Sequence, residues 1–347
     1  MGILSGISDF FGLDIGTGAI RVVQLHGSGA SKTLVRYGAS PLAPNLSQSD
    51  SPADQQQLAA ALKDALSKHR ITTRNVAVGL PSNRVFSTVV DIDKLPPAEL
   101  GKTIMFQADS IIPTPIQDSK IDWAVIGESP KDPAKLELLV SSVANEFVER
   151  RLDLLENIGL NVIAFEPDNL AVARSMVAAG GSTGPVMIID MGIRSTELVI
   201  VMNDTPKLSR SINTGSDAII KSAMQGLAID YKQAEQFVYK FGMVKDKLEG
   251  QVERAINPTI DVIISEIEKT IHFFENRYLG VKMGKLLATG SAAILPELPL
   301  HLANRFGVNV EIGNAWQNVV YPADRQNELM AVSNHFGVAS GLAQRRE

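Results

Sequence analysis

At 347 residues the chain is longer than one average domain, so two or three units with separate cores are expected. It is 45% hydrophobic and 20% charged, as ordinary globular proteins are, and its net charge of −5 gives no electrostatic reason to bind nucleic acid. The absence of cysteine excludes disulfides, thiolate metal sites and cysteine nucleophiles, and the histidines at 26, 69, 272, 301 and 335 show no metal spacing.

Met1 to Phe11 lacks a basic n-region, and no window of about 18 apolar residues follows, so a protein neither exported nor membrane-spanning is expected. Ile3, Leu4, Ile7, Phe10 and Phe11 can share one helical face; the stretch reads as a segment packed on its own domain, with docking on lipid or a partner as the alternative. Phe11 to Ile15 then reads as a buried strand, Gly16-Thr17-Gly18 as a glycine-rich tip, and Ile20 to Leu25 as the returning strand of a hairpin. A third strand is predicted over Lys32 to Tyr37, a polar loop over Pro41 to Pro52, and a helix opened by Pro52 with Leu58, Leu62, Ala65 and Leu66 on its apolar face.

Strands at Asn75 to Leu80 and Val85 to Val90, a helix from Pro97 to Ser110, strands at Ile121 to Ile126 and Leu136 to Val143, and a helix ending at Gly159 predict a compact α+β insertion over 74–162. A helix after Glu166-Pro167-Asp168 leads to a joint, Gly180-Gly181-Ser182-Thr183-Gly184-Pro185. Beyond it a strand at Val186 to Ile189 reaches Asp190-Met191-Gly192-Ile193-Arg194-Ser195, and another resumes at Thr196 to Met202. A long helix is predicted from Pro258 to Leu279 with Asn257 as its cap. A strand at Lys285 to Ala288 follows, then Thr289-Gly290-Ser291 starting a further helix, and a strand at Val308 to Ile312.

Two hairpins thus carry Asp-x-Gly at the turn, beginning at Asp14 and Asp190, about half the chain apart. A tip without bulky side chains lets successive backbone N–H groups converge on a phosphate, and an Asp ending the preceding strand can hold Mg²⁺, usually through waters, against that phosphate. One such turn is a common feature of plain hairpins; two in register describe a triphosphate gripped between two lobes, a closing-cleft device. Thr17 offers a hydroxyl, Gly16, Gly18 and Gly192 offer approach room, and Arg194 either reaches the phosphate or stands as a solvated turn residue.

Gly12-Leu13-Asp14-Ile15-Gly16-Thr17, Glu166-Pro167, Asp190-Met191-Gly192, Thr289-Gly290-Ser291 and the terminal Phe336 to Arg345 stretch resemble, in order, the phosphate-1, connect-1, phosphate-2, adenosine and connect-2 signatures of the actin/Hsp70/sugar-kinase superfamily. Phe106 to Pro115 with its Ile112-Pro113 turn, the following strand with Asp122, and Phe165 to Arg174 resemble the PilM family of type IV pilus assembly proteins within it. The sequence also stops at Glu347, directly after the connect-2 stretch, where FtsA proteins usually carry a tail.

The resemblance implies an α/β, actin-like (ribonuclease H-like) ATPase fold with two pseudo-repeated lobes. The parts run 1–73, 74–162 as a small insertion (SHS2-like), 163–184, 185–335, and 336–347 packing back on the first lobe. It implies ATP and Mg²⁺ as cofactors, with Asp14, Gly16, Thr17, Gly18, Ala19, Asp190, Gly192, Ile193, Arg194, Ser195, Gly215, Glu235, Gly290 and Ser291 at the nucleotide. Asp14 and Asp190 are also the Mg²⁺ pair, and Glu166 is the water-orienting residue of an ATPase that is at most slow.

The adenosine turn departs from the pattern in having only Gly290, and the lysine expected after Glu235 is missing, with Lys232 and Lys240 only approximate substitutes. The implied partner is the cytoplasmic N-terminal peptide of a PilN-like bitopic membrane protein, held in a groove beside the insertion, so the chain is expected to be cytoplasmic and peripheral at the inner membrane. An FtsA-like polymerising division protein and a small-molecule kinase of the same superfamily are the alternatives.

Overall fold

A computed structural model of the chain describes residues 9–27, 29, 32–178, 180 and 184–346. The predicted apolar face of Met1 to Phe11 falls largely outside them; Phe11 itself is fully buried in the first strand.

In chain order the first lobe starts with β1 (Phe11–Ile15), β2 (Ala19–His26), β3 (Lys32–Pro41), α1 (Pro52–Lys68) and β4 (Asn75–Leu80). Next come β5 (Val85–Asp93), α2 (Pro97–Ile111), β6 (Ser119–Glu128), β7 (Lys135–Ala144) and α3 (Asn145–Asn157), then β8 (Asn161–Pro167) and α4 (Asp168–Met176). The second lobe has β9 (Val186–Met191), β10 (Thr196–Met202), β11 (Thr205–Ile212), α5 (Ser216–Leu227), α6 (Tyr231–Phe241), α7 (Gln251–Arg277), β12 (Lys285–Gly290), α8 (Leu298–Phe306) and β13 (Asn309–Ile312). The chain finishes with β14 (Val319–Val320), α9 (Gln326–Val332) and α10 (Gly337–Ala343).

Among the described residues the strands make three sheets, ordered β14-β3-β2-β1-β4-β8, β11-β10-β9-β12-β13 and β5-β7-β6. The first two repeat one plan: an antiparallel meander (β1-β2-β3, β9-β10-β11) extended by a parallel strand beside its first member (β4, β12). Parallel pairing buries both faces, which is why β1 and β9 read as nearly continuous apolar runs. Between the two sheets lies a shared core in which α4 and α10 contribute Ala171, Val172, Met176, Val338, Ala339 and Leu342. Two glycines allow this helix pair to sit there. A Cβ at Gly341 would come within 1.7 Å of the Ala171 carbonyl oxygen, and one at Gly12 within 2.2 Å of that of Ala339.

The insertion is narrower than 74–162. β4 pairs with β1 and β8 inside the first sheet, because its unbroken apolar sequence suits a strand buried on both faces. The separate unit is the sheet β5-β7-β6, covered on one face by α2 through Leu100, Ile104, Leu138 and Val140. Likewise α7 starts at Gln251, not at an Asn257 cap, and carries Pro258 inside it. Pro258 removes one intrahelical bond, but Val252 and Ile256 extend the buried stripe of Ile260, Ile263, Ile264 and Ile267, and that packing sustains the earlier turns. No helix starts at Ser291 either: residues 291–297 are turns and a bend, and α8 begins at Leu298.

The small sheet is tied to the second lobe by a buried ionic knot. Glu137 on β7, with no exposed surface, accepts from Lys207 Nζ (3.0 Å), Arg277 Nε (2.8 Å) and the Tyr278 hydroxyl (2.6 Å), and Arg277 also bonds Asp91 (2.7 Å). Removing one partner of such a buried group leaves the others desolvated and unpaired. Glu137→Ala is therefore expected to lower the unfolding free energy by about 3–5 kcal/mol in denaturant titration.

Candidate nucleotide site

Antiparallel pairing places each strand-end carboxyl opposite a polar residue of the returning strand. In the first hairpin Asp14 faces Arg21, which bonds its carboxylate at 3.0 Å, and the tip is closed by the Gly16 N–H donating to the Ala19 carbonyl at 3.0 Å. In the second, Asp190 faces Glu197, whose Oε1 accepts from the hydroxyls of Ser195 (2.8 Å) and Ser211 (2.9 Å). β12 brings Thr289 beside Asp190 and Gly290 beside Met191; Gly290 has φ +84°, and a Cβ there would approach Asp190 Oδ1 to 2.5 Å. The two tips meet, since a Cβ at Gly18 would lie 2.5 Å from Ile193 Cδ1, and Arg194 reaches across to Gln48 Oε1 at 3.1 Å.

These elements enclose a cavity of about 310 Å³. Of the sequence-predicted residues it brings together Asp14, Gly16, Thr17, Gly18, Ala19, Asp190, Gly192, Ile193, Arg194, Ser195, Gly290 and Ser291. Three lie elsewhere. Gly215 packs behind the second turn, where a Cβ would meet the Ile193 carbonyl oxygen at 2.5 Å. Glu235 is exposed on α6 and is not part of the cavity wall.

Glu166, expected at the phosphates, is buried near the end of β8, held by Arg174 and by Arg345 at 2.8 Å, and lines a different cavity of about 570 Å³. The acid that enters the cleft is Asp168, two residues on, at the start of α4. The cavity also gains Arg21, Ser82, Glu197, Asn334 and His335. Hairpin register alone would have found Arg21 and Glu197, because each lies directly across from a predicted aspartate. The position of Asn334, which donates to the Gly290 carbonyl at 3.1 Å, had no local signal.

Electrostatically the cavity is crowded with acid. Burial, then the nearby charges of Glu197 and Asp14, push Asp190 up to about 7 against the pull of Arg21. Asp14 is raised by burial although Arg21 lowers it, and Asp168 is raised well above the usual range by burial and by Asp14, Glu197 and Asp190. His335 is lowered by burial and by Arg21. Among the described residues no group of three or more His, Cys, Asp or Glu forms a metal cage. The carboxylates of Asp14 and Asp190, near the ends of their strands beside glycine-lined tips, are the groups that could hold a cation in this cleft.

Two lobes repeating one sheet plan, with opposed Asp-x-Gly hairpins at their junction, define an actin-like ATPase fold. It matches MreB5 of Spiroplasma citri bound to AMPPNP (12% identity, 96% of this chain, 95% of that chain, TM-score 0.55) and the ethanolamine utilization protein EutJ from Carboxydothermus hydrogenoformans (12% identity, 96% of this chain, 88% of that chain, TM-score 0.56). The model of the type IV pilus assembly protein PilM family matches residues 12–347, and the chain belongs to that family. A chain of a PilM-PilN type IV pilus biogenesis complex is similar over 96% of this chain and 97% of its own, at 24% identity and a TM-score of 0.82.

A group whose folded-state pKa is raised holds a proton that the unfolded chain has already lost. Between its ordinary 3.8 and about 7, Asp190 therefore makes stability fall as pH rises, with Asp14 and Asp168 adding to the same trend. Asp190→Asn is expected to remove up to about 1.4 kcal/mol per pH unit of that slope and to melt higher than the unsubstituted chain at pH 8, as thermal unfolding across pH 4–8 would register.

Proposed function

We propose that this chain is an ATP-binding scaffold of type IV pilus assembly that holds the cytoplasmic N-terminal peptide of a PilN-like bitopic membrane protein. The observation that carries the nucleotide part is the pair of hairpin tips, one from each lobe, closing on a shared set of buried carboxyls. Backbone N–H groups of the Gly16–Ala19 and Gly192–Ser195 turns would receive the phosphates, and Asp14 and Asp190 would receive Mg²⁺ through water. Bound ATP supplies the negative charge and Mg²⁺ the positive charge that link the lobes; Arg194 and Gln48 close the mouth.

The partner part rests on family membership and on a mainly apolar groove of about 220 Å³ between the small sheet and the first lobe. Its floor is Leu139, Ser141 and Val143 of β7 with Ala124 of β6; Leu80, Phe165 and Leu170 stand opposite. An extended peptide with apolar anchors matches such a slot. Among the described residues no helix is long and apolar enough to cross a membrane, so on this reading membrane attachment comes through the partner.

ATP with Mg²⁺ at a hundredfold excess over its dissociation constant should stabilise the protein by about 2.7 kcal/mol, seen as a rise in melting temperature that Asp14→Ala abolishes. An unchanged melting temperature with ATP and Mg²⁺ would refute the nucleotide reading. For the groove, Ala124 is exposed, so Ala124→Trp fills the slot without disturbing a core. It should weaken retention of a synthetic PilN-like N-terminal peptide at least about tenfold, a loss of about 1.4 kcal/mol, while leaving the melting temperature unchanged.

A further inference from the structure

Asp168 follows Pro167 directly, and the start of α4 carries it into the cavity that holds Asp14 and Asp190. Its Oδ1 is buried without a hydrogen-bond partner, against the bare backbone of Gly79, where a Cβ would come within 2.2 Å of that oxygen. Keeping a buried acceptor unsatisfied is costly; Arg151 lies near enough to favour its charge, but no hydrogen bond satisfies it, and neighbouring Asn169, not Asp168, makes the bonds to Ser82 and Ser209. Of the other acids of the region, Asp190 stands beside Thr289 at the second hairpin and is assigned to Mg²⁺ above, and the remaining three are bonded. Arg21 holds Asp14, two serine hydroxyls hold one oxygen of Glu197, and Glu166 is turned away into its arginines.

We propose that Asp168 is a catalytic carboxylate of ATP hydrolysis in this cavity, holding the attacking water and taking its proton. The inference rests on the nucleotide reading above. In the step, the water oxygen bonds to the terminal phosphorus, and the bond from that phosphorus to its bridging oxygen breaks with the electron pair leaving on ADP. The water proton passes to the Asp168 carboxylate and from there to solvent. Phosphoryl transfer of this kind demands chiefly a positioned nucleophile, and Gly79 leaves the carboxylate one seat against the cleft wall. The role falls to Asp168 and not Glu166 because Glu166 is bonded to Arg174 and Arg345 and lines a different cavity.

The test compares the unsubstituted chain with Asp168→Asn, which keeps the shape and removes the charge, by ATP affinity and by phosphate release with Mg²⁺. The expected result is a variant that binds ATP as tightly or more tightly, since one negative charge facing the polyanion is gone, and releases phosphate roughly 100-fold more slowly. Equal turnover in the two proteins, no turnover in the unsubstituted chain, or loss of ATP binding in the variant each overturns the assignment. Failure of the underlying nucleotide reading is told apart by the binding arm, because the unsubstituted chain would then not bind ATP at all. Glu166→Gln, read beside it, should leave the ratio of turnover to bound ATP unchanged.

Discussion

Like charge confined at the meeting of two sheets is the constraint around which this molecule is arranged. Asp14, Asp168, Asp190 and Glu197 all border one cavity, and the cations there are Arg21, bonded to Asp14, and Arg194 at the mouth. Ionised together they would repel one another; burial raises Asp14, Asp168 and Asp190, and neighbouring acids add to the rise at Asp168 and Asp190. The conflict is intrinsic to the topology. Each lobe carries an aspartate next to the last residue of its first strand, and the pseudo-repeat brings both strand ends to one cavity, so the fold cannot bring the hairpins together without bringing the acids together. On the proposed reading a Mg²⁺ resolves the repulsion, and the same charges that weaken the empty cleft provide the affinity.

Keeping the acids this close requires the lobes to be held firmly elsewhere, and small residues do that work. Helices α4 and α10 cross with Gly341 against the Ala171 carbonyl and Gly337 receiving the Ser175 hydroxyl at 2.8 Å. Gly12 lets α10 lie directly on β1, the strand that ends at Asp14. The position of the first aspartate is therefore set by backbone packing about two residues away, which is stiffer than any side-chain contact.

Both hairpins, their Asp-x-Gly turns and most element positions were legible in the sequence because they are encoded locally: apolar runs of strand length, glycines where the chain reverses, proline at a helix start. What was not legible depends on partners remote in sequence. The membership of β4 in the first sheet is fixed by pairing with β1 and β8; the unbroken apolar run Val76–Leu80 marks a strand buried on both faces but does not name its partners. The early start of α7 is decided by a core that rewards Val252 and Ile256. Glu166 and Asp168 illustrate the sharpest limit. A motif gives the neighbourhood of an acid, but β8 ends at Pro167 and α4 begins at Asp168, so two positions decide between a structural ion cluster and the cleft.

The small sheet adds a mechanical consequence. On β7 the residues Glu137, Leu139, Ser141 and Val143 alternate onto the face away from α2, where Leu138 and Val140 are covered. That one face carries the knot to Lys207, Arg277 and Tyr278 of the second lobe at one end and the groove floor against Leu80, Phe165 and Leu170 of the first lobe along the rest. A strand in the middle of a three-stranded sheet is its stiffest member, being bonded on both edges. The groove wall is thus fastened to both lobes by a single rigid strand, so the width of the groove and the angle between the lobes are not independent quantities in this fold.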